Sequence, residues 1–164
     1  MLIRRWDLLS GQTNRAPGMR MWAAFFDFWE IFPVELSSSK LVTQILAAGG
    51  IPIVKTNVPQ TMFAFECSNP LWGRTTNPYN DKFTCGGSSG GEAALLAMDG
   101  SAIGLGGDIG GSLRIPAAYC GIYSFKPGHG RVSRYGAKST YFLDWSEHGL
   151  LIYSPRHCPW IWGH

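Results

Sequence analysis

Cys85-Gly86-Gly87-Ser88-Ser89-Gly90-Gly91-Glu92, followed by Gly106-Gly107-Asp108-Ile109-Gly110-Gly111-Ser112-Leu113-Arg114-Ile115-Pro116-Ala117, is the stretch that decides how this chain is read. Fourteen of its 21 glycines fall between Gly86 and Gly136. Glycine loses more backbone freedom on folding than any other residue, so the clustering needs a reason. Two are available: tight turns, or backbone N–H groups that must approach a ligand closely. Amide hydrolysis requires a nucleophile, an acceptor for its proton and donors for the developing oxyanion. A serine placed after Ile109-Gly110-Gly111 meets the first and third needs. The glycines leave successive N–H groups unshielded, and a nest of such groups binds negative charge. Ser112 is therefore the candidate nucleophile, with the N–H groups of Ile109, Gly110, Gly111 and Ser112 as oxyanion donors. Losing one such donor typically costs about 100–1,000-fold in rate.

Competing readings of the glycine–serine stretch fit less well. A Walker loop needs Gly-Lys-Ser/Thr, which is absent. A flexible linker would not be followed at once by a helix, a strand and a second glycine–serine motif. The nucleophile elbow of serine hydrolases can be laid on Gly87-x-Ser89-x-Gly91. Its histidine partner is missing, because His129, His148, His157 and His164 all lie towards the C-terminus and none sits in a convincing motif. A nucleotide-binding or interaction protein has only the glycine richness in its favour.

Working outward, Ser38–Ala48 reads as a helix, with Ser37, Ser38 and Ser39 as candidate N-caps, Leu41, Val42, Ile45 and Leu46 on one face, and Gly49-Gly50 as the stop. Ile51–Val54 reads as a short strand buried on both faces. Thr56-Asn57-Val58-Pro59 reads as a loop, Glu92–Met98 as a helix and Ala102–Leu105 as a second strand. Strands alternating with helices argue for an α/β layered fold. The chain divides into an aromatic, arginine-rich segment over 1–37, a core over 38–136 and an irregular tail over 137–164, with no internal repeat.

Composition narrows the function classes. Charged residues are 15% of the 164 and the net charge is +3, with no basic run or stripe, so nucleic acid is not an expected partner. Cys67, Cys85, Cys120 and Cys158 show no CxxC spacing, so neither zinc nor a redox motif is indicated. Free thiols imply a reducing compartment, and a cytoplasmic location is expected. The apolar stretch Met21–Phe32 is interrupted by Asp27 and Glu30 and is too short to span a bilayer. Its residues Trp22, Phe25, Phe26, Trp29 and Phe32 recur at helical spacing. Packing against protein is the favoured reading of that stripe, with a segment lying on a membrane surface as the alternative.

GGSSGGEAAL (86–95), DIGGSLRIPAAYCG (108–121) and KPGHGRVSRYG (126–136), supported by KTNVPQTMFAFECSNPLWGRTTNPYN (55–80), resemble the amidase-signature family, and within it the fungal acetamidases and fatty acid amide hydrolases. The spacing of 24 between Ser88 and Ser112 agrees with that family. The resemblance implies a layered α/β fold, a mixed central sheet surrounded by helices, present here in part. It implies a hydrolase of carboxylic amides with a Ser–Ser–Lys catalytic group, needing no metal or cofactor and taking a small-molecule amide as its partner. Residue by residue, Ser112 resembles the acylated nucleophile and Ser88 the bridging serine, whose peptide bond is cis in the family. Ile109, Gly110 and Gly111 match the oxyanion loop, Met62 a residue near the bound acyl chain, and Asp108 and Arg114 positions that brace the loop.

The chain also departs from that pattern. The window where the family's catalytic lysine belongs falls on Leu8–Gly18, LLSGQTNRAPG, which has no lysine; the first in the chain is Lys40. Lys55 matches a segment where the family's lysine is not catalytic. Gly107 stands where the family has Ser or Thr. The match fades after Gly136. The alternative expectation is thus a catalytically inactive, truncated amidase fragment, with 1–37 and 137–164 foreign to the family.

Overall fold

The computed structural model describes residues 4–5, 40–51, 53–70, 72–133, 135 and 147–152. The lysine-free window Leu8–Gly18 and the aromatic stripe over Met21–Phe32 lie outside these residues.

Helix α1 is Lys40–Ala47. It stops where the sequence supplies glycine: Gly49 takes φ +85, and the N–H groups of Gly49 and Gly50 bond the carbonyls of Leu46 and Ile45. Strand β1, Arg4–Arg5, pairs antiparallel with β2, Val54–Lys55. The expected strand over Ile51–Val54 is thus replaced by a shorter one shifted towards Lys55. Ile51 and Ile53 are exposed rather than buried on both faces. Pro52 explains the difference, because it has no N–H to give a sheet ladder.

A three-stranded antiparallel meander follows, with β3 at Cys67–Asn69, β4 at Gly73–Asn77 and β5 at Asn80–Thr84. Two residues join β4 to β5, and Asn77 Oδ1 accepts the N–H of Tyr79 at 3.0 Å, a side-chain-mediated turn. Helix α2, Gly90–Ala97, comes next. All of its residues except Glu92 are buried, so it is enclosed on nearly every side. This matches its composition, apolar right round rather than along one stripe.

Strand β6, Ile103–Asp108, leads through the Ile109–Leu113 loop into helix α3, Arg114–Cys120, and then strand β7, Tyr123–Phe125. Gly121 ends α3 in the left-handed conformation. Residues 147–152, within the segment expected to be an irregular tail, form β8. It pairs antiparallel with both β6 and β7, lying between them. The two flanking strands therefore run in the same direction, with α3 as their crossover, which is the α/β pattern expected from the sequence. The core is one cluster of Cys67, Cys85, Ala93, Ala94, Leu96, Ala97, Leu113, Ala117, Cys120 and Ile122. It joins the meander, α2 and α3, and the two glycine–serine loops emerge beside it.

Candidate active site

Ser88 and Ser89 lie in the loop between β5 and α2. Both are buried, and the Gly87–Ser88 peptide bond is cis. Ser112 lies in the loop between β6 and α3 and is half-buried. One hydrogen bond joins the loops directly: the Ser89 N–H donates to the Ser112 carbonyl at 3.1 Å. Ser89 also begins α2, its carbonyl accepting the N–H of Ala93. The first loop is packed too closely for side chains. A β-carbon at Gly87 would lie 2.5 Å from the carbonyl oxygens of both Ala64 and Glu66. The same contact brings the segment after Met62 against this loop. Met62 itself is half-buried and ends a 3-10 turn, Gln60–Met62, in which Thr61 and Met62 take φ of 62 and 53. Positive φ at a β-branched residue is an outlier of the kind that clusters at functional sites.

The second loop is wound around Asp108, which is 1% exposed. Its Oδ1 accepts the Gly111 N–H at 2.8 Å and Arg114 Nη2 at 2.9 Å. Its Oδ2 accepts the N–H of Leu113 at 3.1 Å, the N–H of Arg114 at 3.4 Å and Arg114 Nε at 3.0 Å. Burial alone would raise the carboxyl pKa. The guanidinium and the N–H groups of Leu113 and Gly111 outweigh burial and hold it below its ordinary value. Arg114 is itself largely exposed, so the ion pair closes the loop from its solvent side.

Gly111 takes φ +131, and a β-carbon there would lie 2.6 Å from Ile115 Cδ1. The Gly111 N–H is turned towards Asp108. At Gly110 a β-carbon would meet nothing within 4 Å, and Ile109 is half exposed, so this part of the loop is open.

Several residues that matter to this arrangement stand outside the site expected from the sequence. Glu92 accepts a hydrogen bond from Thr56 Oγ1 at 2.6 Å. Burial raises its carboxyl pKa, offset in part by the Thr56 hydroxyl and the Leu105 N–H. Its signal was one acid in an otherwise apolar helix. The Asn57 carbonyl accepts both the Gly91 N–H at 3.2 Å and the Cys67 thiol at 3.2 Å. Its side chain donates to Thr75 Oγ1 and accepts from Asn69. Cys67, Cys85 and Cys120 are free and buried; Cys120 Sγ donates to the Cys85 carbonyl at 3.5 Å, next to the first glycine of the Ser88 loop. Lys55 has its pKa lowered by burial. Among the described residues no group of three or more His, Cys, Asp or Glu is placed to hold a metal ion. None of the described helices is long and apolar enough to cross a membrane.

The sequence profile of the amidase family matches residues 18–152, most of the chain. This chain belongs to the amidase family. It is 53% identical over 103 residues to fatty-acid amide hydrolase 1 of Sus scrofa, covering 62% of this chain and 18% of that protein. It is 51% identical over 98 residues to an acetamidase of Aspergillus oryzae, covering 60% and 18%. A solved fatty acid amide hydrolase structure superposes with a TM-score of 0.66 at 36% identity, over 74% of this chain and 22% of that one. The family accounts for the layered α/β architecture. The chain spans about a fifth of the length of these amidase relatives.

Proposed function

We propose that this chain carries the nucleophile side of an amide-hydrolysing site. Ser112 Oγ attacks the carbonyl carbon of a small carboxylic amide. Its proton passes by way of Ser88 to the leaving nitrogen, the C–N bond breaks, and an amine or ammonia departs. Water then splits the Ser112 ester to release the acid. The Ser89 N–H to Ser112 carbonyl bond carries this reading, because it holds the two serine loops against each other. Since the Gly111 N–H serves Asp108, the oxyanion falls to the N–H groups of Ile109, Gly110 and Ser112, on the open part of the loop. Asp108 and Arg114 act by holding the loop's shape. Met62 lines the approach of the acyl group, supported by the packing of its segment on Gly87. The buried free thiols of Cys67, Cys85 and Cys120 support a reducing compartment such as the cytoplasm.

A second reading rests on the lysine-free window Leu8–Gly18: the fold and nucleophile are in place, but turnover is lost for want of a base. General-base assistance is worth about 100–10,000-fold. A fluorophosphonate probe and a simple aryl amide separate the readings. Labelling and turnover that both vanish in Ser112→Ala support the hydrolase; labelling that survives in Ser112→Ala refutes Ser112 as nucleophile. Absence of turnover in the unmutated chain favours the inactive form. Turnover that falls in Lys55→Ala would make Lys55 the base.

A further inference from the structure

Glu92 is the one residue of α2 that is not fully buried, and it is also the one acid in that helix. It stands one helical turn after Ser89, so both side chains point to the same side of α2. That side is pressed against β6. A β-carbon at Gly106 would lie 2.5 Å from Ser89 Oγ, and one at Gly104 would lie 2.5 Å from Glu92 Oε1. Gly104 and Gly106 are two residues apart and share a face of the strand. The helix and strand therefore meet flush at two points. One of these points carries the serine that bonds Ser112; the other carries the carboxyl of Glu92.

That carboxyl holds three elements at once. Thr56, just beyond β2, donates its hydroxyl to Oε2 at 2.6 Å. On the other side, Oε1 sits against Gly104 of β6, where a β-carbon would lie 2.5 Å from it. A carboxyl tied to Thr56 and seated over a glycine of β6 resists sliding of α2 along the strand. Sliding would part Ser89 from the Ser112 carbonyl, because Ser89 begins α2 while β6 runs directly into the Ser112 loop.

We propose that Glu92 is a positioning residue: by tying the first turn of α2 to Thr56 and seating it over Gly104 of β6, it sets the spacing between the Ser88 and Ser112 loops. The inference rests on the roles given above to those two serines. It assigns Glu92 no contact with substrate.

Amide hydrogen exchange on the full chain tests it without needing turnover. In Glu92→Leu, exchange at the Ser89 amide should rise by about tenfold relative to the core amides of Leu96 and Ala117, as expected for a lost hydrogen bond to a carboxylate. Glu92→Gln, which keeps the side chain's shape over Gly104 and an acceptor for Thr56, should restore Ser89 to within about threefold of the unmutated chain. Unchanged exchange at Ser89 in Glu92→Leu overturns the proposal, as does acceleration of Ser89 and the core amides by the same factor. Should Glu92→Leu fail to fold, Thr56→Val decides: faster exchange confined to Ser89 and its neighbours supports the anchor, and no change refutes it. Fluorophosphonate labelling at Ser112 should slow in Glu92→Leu and recover in Glu92→Gln. If Ser112→Ala still labels, the nucleophile assignment falls, while exchange at Ser89 still judges Glu92.

Discussion

Replacing Asp108 by asparagine preserves the volume of the side chain and removes half of what it does. Five donors converge on the two carboxylate oxygens, three of them main-chain N–H groups from Gly111, Leu113 and Arg114. An amide has one acceptor oxygen and one NH2 group. With its oxygen towards Gly111, the NH2 faces the N–H groups of Leu113 and Arg114. With its oxygen towards Leu113, it faces the N–H of Gly111. Either rotamer leaves at least one buried main-chain donor unpaired, at about 1–3 kcal/mol each. The guanidinium is largely exposed and can turn to water, so its share is small. Asp108→Asn should therefore lose about 2–3 kcal/mol, shifting the urea midpoint down by roughly 1 M for a slope typical of a small protein. Circular dichroism followed through urea titration measures it. A shift below about 0.2 M would refute the reasoning, as would an equal shift in Arg114→Ala, which would mean the ion pair and not the main-chain donors dominates.

Other consequences follow from the same geometry. Asp108 has its folded-state pKa below its unfolded value, so its contribution is present above an ordinary pKa of about 3.9 and disappears as pH falls through the folded value. Glu92 runs the other way: its raised folded pKa means that stability is lost as pH rises from its unfolded value of about 4.3 through the folded one. In urea titrations across pH, Glu92→Gln should flatten the upper part of the profile and leave the acid limb. A β-carbon at Gly91 would land on the main chain of Asn57, which cannot swing aside, whereas one at Gly110 meets open space. Gly91→Ala should cost about 3 kcal/mol or fail to fold, and Gly110→Ala should melt within about 0.5 kcal/mol of the unmutated chain; equal effects would refute the packing described. The Cys120 thiol is pushed by burial to about 11, and the neighbouring Cys67 thiol together with burial raises Cys85. Site-resolved alkylation at pH 8 should find Cys85 and Cys120 unmodified until denaturant is added.

What could be read from the sequence was what depends on local chemistry. The glycines around Ser88 and Ser112 announce close main-chain packing whatever surrounds them, helix α1 carries its own glycine stop, and α2 its apolar content. The meander was not legible, because Gly73–Asn77 and Asn80–Thr84 are polar strands whose side chains are mostly exposed or half-buried. No apolar alternation marks such strands; pairing with one another makes them. Strand β8 was hidden for a different reason, as its partners lie about 25 to 50 residues away in the chain. At the site, Asp108 could be named as a brace from the family resemblance. That its oxygens would draw in the Gly111 N–H, taking one donor from the expected oxyanion set, is a matter of orientation that residue types do not encode. Glu92 is visible as a lone acid in an apolar helix, but its partner Thr56 and the glycine it sits over, Gly104, come from distant parts of the chain.

The position of β8 between β6 and β7 has a bearing on the order of assembly. All six residues of β6 pair with β8, from Ile103 opposite Ile152 to Asp108 opposite Glu147. Both strands flanking β8 leave the ribosome before it does. At about 5–20 residues per second, several seconds of synthesis separate Asp108 from the partner that fixes its strand. Non-local pairing of this kind also slows folding in a finished chain. During that interval the Ser112 loop has its aspartate and arginine but no sheet behind it. The Ser112 loop is thus secured only once β8 has been made, well after its own residues.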